Sequence, residues 1–173
     1  MEEIVEYYTI FADMALSFGA DNVIAITPED IVFDDRTLLK CMFGCRTWGK
    51  GCTCPSRAGF LPLKEWEKLL KKYKVVLIIH STDKNIAQNA SLAIENEAYL
   101  SGDVLAFSMS DCALCAECAG STGLECRNPM KARPAFHSVG IDVFATAKNL
   151  GLPLKPLRSE TETQNWYAAV WLN

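Results

Sequence analysis

Near the start of the chain, apolar residues recur at helical intervals. Ile4, Tyr7, Tyr8, Phe11, Met14, Ala15 and Phe18 share one face, and Gly19 is the natural stop. Asn22–Ile26 reads as a short strand, Pro28 and its acidic neighbours as a turn, and residues 31–33 as another strand. Asp34 or Asp35 is placed to cap a short helix that carries Cys41. Pro62 is placed to open a helix with Trp66, Leu69 and Leu70 inward and lysines outward. Residues 75–79 are apolar without a break, the pattern of a strand covered on both faces. Thr82 or Asp83 starts a helix that runs to about Leu100 and ends at Gly102. Residues 104–109 then form a second buried strand. A helix over 135–150 turns Phe136, Val139, Val143, Phe144 and Ala147 inward and closes at Gly151 and Pro153. Trp166–Leu172 reads as the last strand.

Strand, helix and strand in succession over 75–109 predict a right-handed parallel crossover. The expected fold is therefore α/β, with a central, mostly parallel sheet flanked by helices. Half of the 173 residues are apolar, enough for a core of its own, so one domain over 1–173 is expected. Cys112 follows the second crossover strand directly, and in α/β sheets sites are built beyond the carboxyl ends of strands.

Two stretches, 41–61 and 110–134, hold all eight cysteines and are expected to form metal-binding loops. The first runs Cys41-x3-Cys45-x6-Cys52-x-Cys54 and closes with Pro55. The second runs Cys112-x2-Cys115-x2-Cys118-x7-Cys126. Four soft ligands per loop suit a metal centre. The C-x2-C-x2-C run resembles that of bacterial ferredoxins, where three thiolates from one loop grip corners of an iron–sulfur cube, although the fourth cysteine follows at a longer interval here. Zinc sites more often use two separated C-x2-C pairs. A disulfide framework would spread its cysteines, whereas 55–111 and 127–173 contain none. Cys52 is left open between a ligand and a small buried thiol.

The net charge of −4 argues against a nucleic-acid surface, and no apolar run is long enough to span a bilayer. The N-terminus is acidic and unlike an export signal, so a reducing cytoplasmic setting is expected. Arg46, Lys50 and Arg57 surround the first loop, and Arg127, Lys131 and Arg133 follow the second. Cations there would favour the reduced form of an anionic cluster. Trp48 and Trp66 are candidates for shielding the first loop from water. His80 and His137 read as structural, because neither has the setting of a Cys/His nucleophilic pair. Phosphate-loop, G-x-S-x-G and H-E-x-x-H motifs are lacking, so any enzyme chemistry would rest on a metal or cluster.

CMFGCRTWGKGCTCPS and the stretch from Cys112 to Leu152 resemble the small cysteine-rich family of predicted metal-binding proteins of unknown function found in anaerobic archaea and bacteria. The resemblance runs from about Cys41 to the C-terminus. Cys41, Cys45, Trp48-Gly49 and Cys54-Pro55 match the family's first motif; Ser56 replaces a second proline, His137 stands where an acidic residue is usual, and Cys52 is extra. The resemblance implies metal binding and supplies no reaction.

The expected function is an iron–sulfur protein with two [4Fe–4S] clusters, serving electron transfer or a redox complex through a partner protein. Cys112, Cys115, Cys118 and Cys126 would hold one cluster, and Cys41, Cys45 and Cys54, with Cys52 as a further candidate, the other. One alternative is an enzyme whose cluster exposes an open iron for Lewis-acid or sulfur-transfer chemistry. Another is a zinc-stabilised binding module.

Overall fold

Four strands form one sheet at the centre of the protein: β1 (Asn22–Ile26), β2 (Val75–Ser81), β3 (Phe107–Ser110) and β4 (Trp166–Leu172), in the spatial order β1-β2-β4-β3. The computed structural model describes residues 2–159 and 161–173, with side chains from residue 8 onward. Among the described residues five α-helices surround the sheet: α1 (Glu2–Ser17), α2 (Thr37–Gly44), α3 (Leu63–Leu70), α4 (Lys84–Leu100) and α5 (Val143–Asn149). Among the described residues no helix is long and apolar enough to cross a membrane.

Alternation along the two central strands sorts side chains onto two faces. Leu77 and Ile79 of β2 join Ala168, Val170 and Leu172 of β4 against Phe11 and Ala15 of α1 and Ala87, Ala90, Ile94 and Ala98 of α4. Val76 and Ile78 join Tyr167, Ala169 and Trp171 on the opposite face, against Leu70, Met109, Phe136, Val139, Ile141 and Ala147. The small residues of α4 let its backbone approach the sheet closely.

The sheet corrects the expected fold, because every strand pairing in it is antiparallel. β2 and β3 do run in the same direction, as a crossover through α4 requires. They are not neighbours, however. β4 lies between them and opposes both, with Leu77 facing Val170 on one side and Met109 facing Ala169 on the other. The unbroken apolar run of β2 marks burial on two faces, which a central antiparallel strand achieves equally when helices cover both sides.

Several local expectations change as well. Ile4 and Tyr7 lie outside the described side chains, and Phe18, Leu69 and Phe144 are exposed. Residues 31–33 form no strand; only Phe33 makes a bridge, to Ile141. Val104 and Leu105 are exposed ahead of β3, which begins at Phe107. The expected helix over 135–150 is divided. A 3-10 turn at Phe136–Val139 stops at Gly140, whose φ of 92° suits glycine. α5 then begins under the cap of Asp142, whose Oδ1 accepts the Ala145 N–H at 2.9 Å.

Candidate metal centre

Because β2 and β3 share a direction, their carboxyl ends meet at one edge of the sheet. The second cysteine loop leaves from there, and α2 and the residues after it bring up the first loop. All eight cysteines line one cavity of about 590 Å³, together with Lys50, Lys84, Asp111, Arg127, Asn128 and His137. All eight are free thiols. Among the described residues no three His, Cys, Asp or Glu side chains converge tightly enough to grip a single ion.

In the first loop, Asp34 organises the entry to α2: its Oδ1 accepts the Arg36 N–H at 2.9 Å. Cys41, on α2, is the buried thiol of this group. Burial first, then the neighbouring Cys45 and Cys54, push it up to about 11. Cys45 Sγ shares a hydrogen bond with Thr47 Oγ1 at 3.1 Å. Cys54 Sγ accepts the Gly49 N–H at 3.3 Å and the Ser56 hydroxyl at 3.1 Å. Gly49 has a φ of 76°, so the N–H that reaches Cys54 comes from a turn that favours glycine. Donors aimed at sulfur stabilise thiolate charge and tune a bound cluster.

The second loop is pinned at its base, where the Ser110 N–H donates to the Pro134 carbonyl at 3.1 Å. Buried Gln88 of α4 holds its first residues: Oε1 accepts the Ala113 N–H at 2.8 Å and Nε2 donates to Ser110 Oγ at 3.2 Å. Asn128 serves two sulfurs, donating from Nδ2 to Cys115 at 3.2 Å and from its backbone N–H to Cys126 at 3.4 Å. Gln88→Leu would leave the Ala113 N–H and the Ser110 hydroxyl without this partner. It is expected to cost about 1–3 kcal/mol and to speed amide exchange at Ala113 ahead of the sheet, measured by hydrogen exchange.

The loops meet at Gly120. A Cβ there would collide with the Lys50 carbonyl oxygen, and would stand 2.5 Å from Arg57 Nη2 and 3.0 Å from Cys52 Sγ. Arg57 donates from Nε to the Gly51 carbonyl at 3.2 Å and reaches toward Cys52 Sγ at 4.0 Å. Burial, then the Cys118 side chain, push the Cys52 thiol up. Burial also acts to raise Cys118, but the N–H groups of Cys52 and Gly120, the Cys52 side chain and the Arg57 charge outweigh it and hold Cys118 down.

Trp48 lines the cavity, whereas Trp66 stacks between Phe60 and Phe107 at centroid distances of 5.6 and 6.1 Å. His80 is a buried structural group whose Nε2 lies 2.8 Å from Asn165 Oδ1. His137 lies on the cavity wall. Crowding there lowers its pKa, and Asp111 partly opposes the shift. Lys50 and Arg127 face the cavity, but Arg133 is taken by Glu95 through bonds of 2.9 and 2.6 Å. Lys84, Asp111, Gln88 and Asn128 escaped the sequence reading. Lys84 pairs with Asp111 at 3.0 Å and lies over the Trp166 ring at 5.2 Å. Isolated polar residues on a helix or beside a cysteine carry no spacing signal, so the sequence offered no cue to them.

The family model described as Predicted metal-binding protein (DUF2284) matches residues 24–172. No curated protein and no solved structure matches the chain.

Proposed function

This chain belongs to that family of predicted metal-binding proteins, and on that premise we propose that it is a cytoplasmic iron–sulfur protein. It holds two [4Fe–4S]-type centres and passes electrons to a partner protein or within a redox complex. The observation that carries this reading is the convergence of all eight cysteines, from two loops far apart in sequence, on one cavity. The donor set fits the group. A cluster of several iron atoms is held by a wider ring of thiolates than one ion, and thiolates are its usual ligands. The N–H and hydroxyl donors at Cys45, Cys54, Cys115 and Cys126 suit anionic sulfur. Cys41, Cys45 and Cys54 would hold the first centre; Cys112, Cys115, Cys118 and Cys126 would hold the second, the two loops forming a metal-binding lobe on a single domain. Bound clusters would supply one-electron transfer. Lys50, Arg127 and the Lys84–Asp111 pair would set the charge around them.

A second reading has its own support. Cys41 has Cys45 and Cys54 as its thiol neighbours, whereas Cys52 is turned toward Cys118. Three thiolates would leave one corner of the first centre open, on a cavity that also presents Lys84, Asp111 and His137. That arrangement suits Lewis-acid or sulfur-transfer chemistry at an open iron.

Protein purified without oxygen is expected to be brown, to absorb broadly near about 400 nm and to bleach with dithionite, as thiolate-bound clusters do. Counts of iron and acid-labile sulfide per chain check it. A colourless protein with stoichiometric zinc and no sulfide, even after anaerobic reconstitution, would show a zinc-stabilised module in its place.

A further inference from the structure

We propose that Cys52, although the first loop carries it, serves the second centre, where it and Cys118 are alternative thiolates for one corner. The assignment deepens the metal-centre reading and rests on it. Its geometric basis is the junction at Gly120. Only a residue without a side chain lets the backbone of the second loop lie against Cys52 Sγ, the Lys50 carbonyl and Arg57. Gly120 comes two residues after Cys118, so this close approach sets the Cys52 thiol beside the Cys118 segment.

The neighbours of each thiol point the same way. Cys54 Sγ is engaged within its own loop by Gly49 and Ser56. Cys52 has Cys118 and Cys126 as its thiol neighbours. Arg57 is anchored to the Gly51 carbonyl and extends toward Cys52.

Exchange between the two would move no electrons. With a metal bound, Cys52 would take the corner as Cys118 left it, and the proton released by the Cys52 thiol would pass to Cys118. The second centre would thus have five thiolates for four corners, and the first would have three. A corner that can change ligand without losing metal is a means of adjusting the centre.

The test counts bound metal per full-length chain after anaerobic loading, in four variants. Far-ultraviolet circular dichroism checks that each is folded. Cys118→Ala is expected to keep its full metal content because Cys52 takes the vacant corner. Cys52→Ala is also expected to keep it. The double variant Cys52→Ala/Cys118→Ala is expected to lose the second centre, about half of the metal if both centres are cubes. Cys115→Ala, whose sulfur has no such substitute beside it, is expected to lose that centre on its own. Loss of metal in Cys118→Ala equal to that in Cys115→Ala would overturn the proposal. So would loss of the first centre in Cys52→Ala, or full retention in the double variant. A wild-type chain that takes up zinc and no iron or sulfide would defeat the iron–sulfur reading alone. Zinc counts on the same four variants would then decide the role of Cys52.

Discussion

Stripped of its metal, the protein is expected to keep its four-stranded sheet and to lose the order of residues 41–61 and 110–134. Both apolar clusters of the sheet are built without a single cysteine. The sheet's packing therefore needs no metal. The loops have little packing of their own. Phe43 is 83% exposed, Met130 85% and Leu124 58%, so few of their larger apolar groups contribute burial. Ordering such chain costs about 1–2 kcal/mol per residue in backbone entropy, more than the loops' few hydrogen bonds offset, so metal–thiolate bonds must supply the rest. Hydrogen exchange with and without a strong chelator, in the absence of oxygen, reads the result directly. Amides of β2 and β4 should stay protected, while those of both loops should exchange faster by orders of magnitude. Equal protection in the two states would mean that the loops fold without the metal and that it binds to a preformed site.

Glu95→Ala is expected to destabilise the protein by about 3 kcal/mol, the lower end of the range for breaking a largely buried ion pair. Arg133 and Glu95 are only 17% and 15% exposed at their side chains. Glu95 accepts from Arg133 at 2.9 and 2.6 Å, and its Oε2 also accepts the Ser108 N–H at 3.1 Å. Arg133 donates in addition to the carbonyls of Met130 and Ala132 at 3.1 Å, and its guanidinium lies over the Phe107 ring. One carboxylate thus ties α4, the edge strand β3 and the exit of the second loop. Removing it strands a guanidinium with little access to water and frees a backbone donor. Urea unfolding checks the magnitude. Glu95→Ala/Arg133→Met should recover most of the loss, since the apolar replacement leaves no unpaired charge. If the single variant costs under about 1 kcal/mol, the pair behaves as an ordinary surface bridge.

Arg133 also illustrates how far a sequence carries. Its place at the end of the second cysteine loop is plain from the chain, and order alone sets it among the cations around a cluster. Its partner lies 38 residues earlier on α4, and nothing in the local pattern announces such a pairing. The same holds for Gln88, which holds the Ala113 N–H across 25 residues.

Some helix starts and strand cores, by contrast, are legible because they depend on neighbours in sequence, although α2 begins after Arg36 with no side-chain cap from Asp34 or Asp35. Asp83 caps α4, Pro62 opens α3, and β4 occupies the residues read for it. The two cysteine-rich stretches are legible for the same reason: the spacing of cysteines is a local property. Strand order is not. The apolar run at 75–79 shows that β2 is covered on both faces, and the helix after it shows that β3 returns in the same direction. Neither reveals that β4, the last element of the chain, lies between them. That insertion makes every pairing antiparallel, yet the carboxyl ends of β2 and β3 still lie at the same end of the sheet, where the two cysteine-rich loops gather. Cys52 follows the same division. Its place in the chain puts it with the first loop, but tertiary packing sets its sulfur against Gly120 of the second. Local patterns determine which residues form each element, whereas long-range packing decides which elements become neighbours.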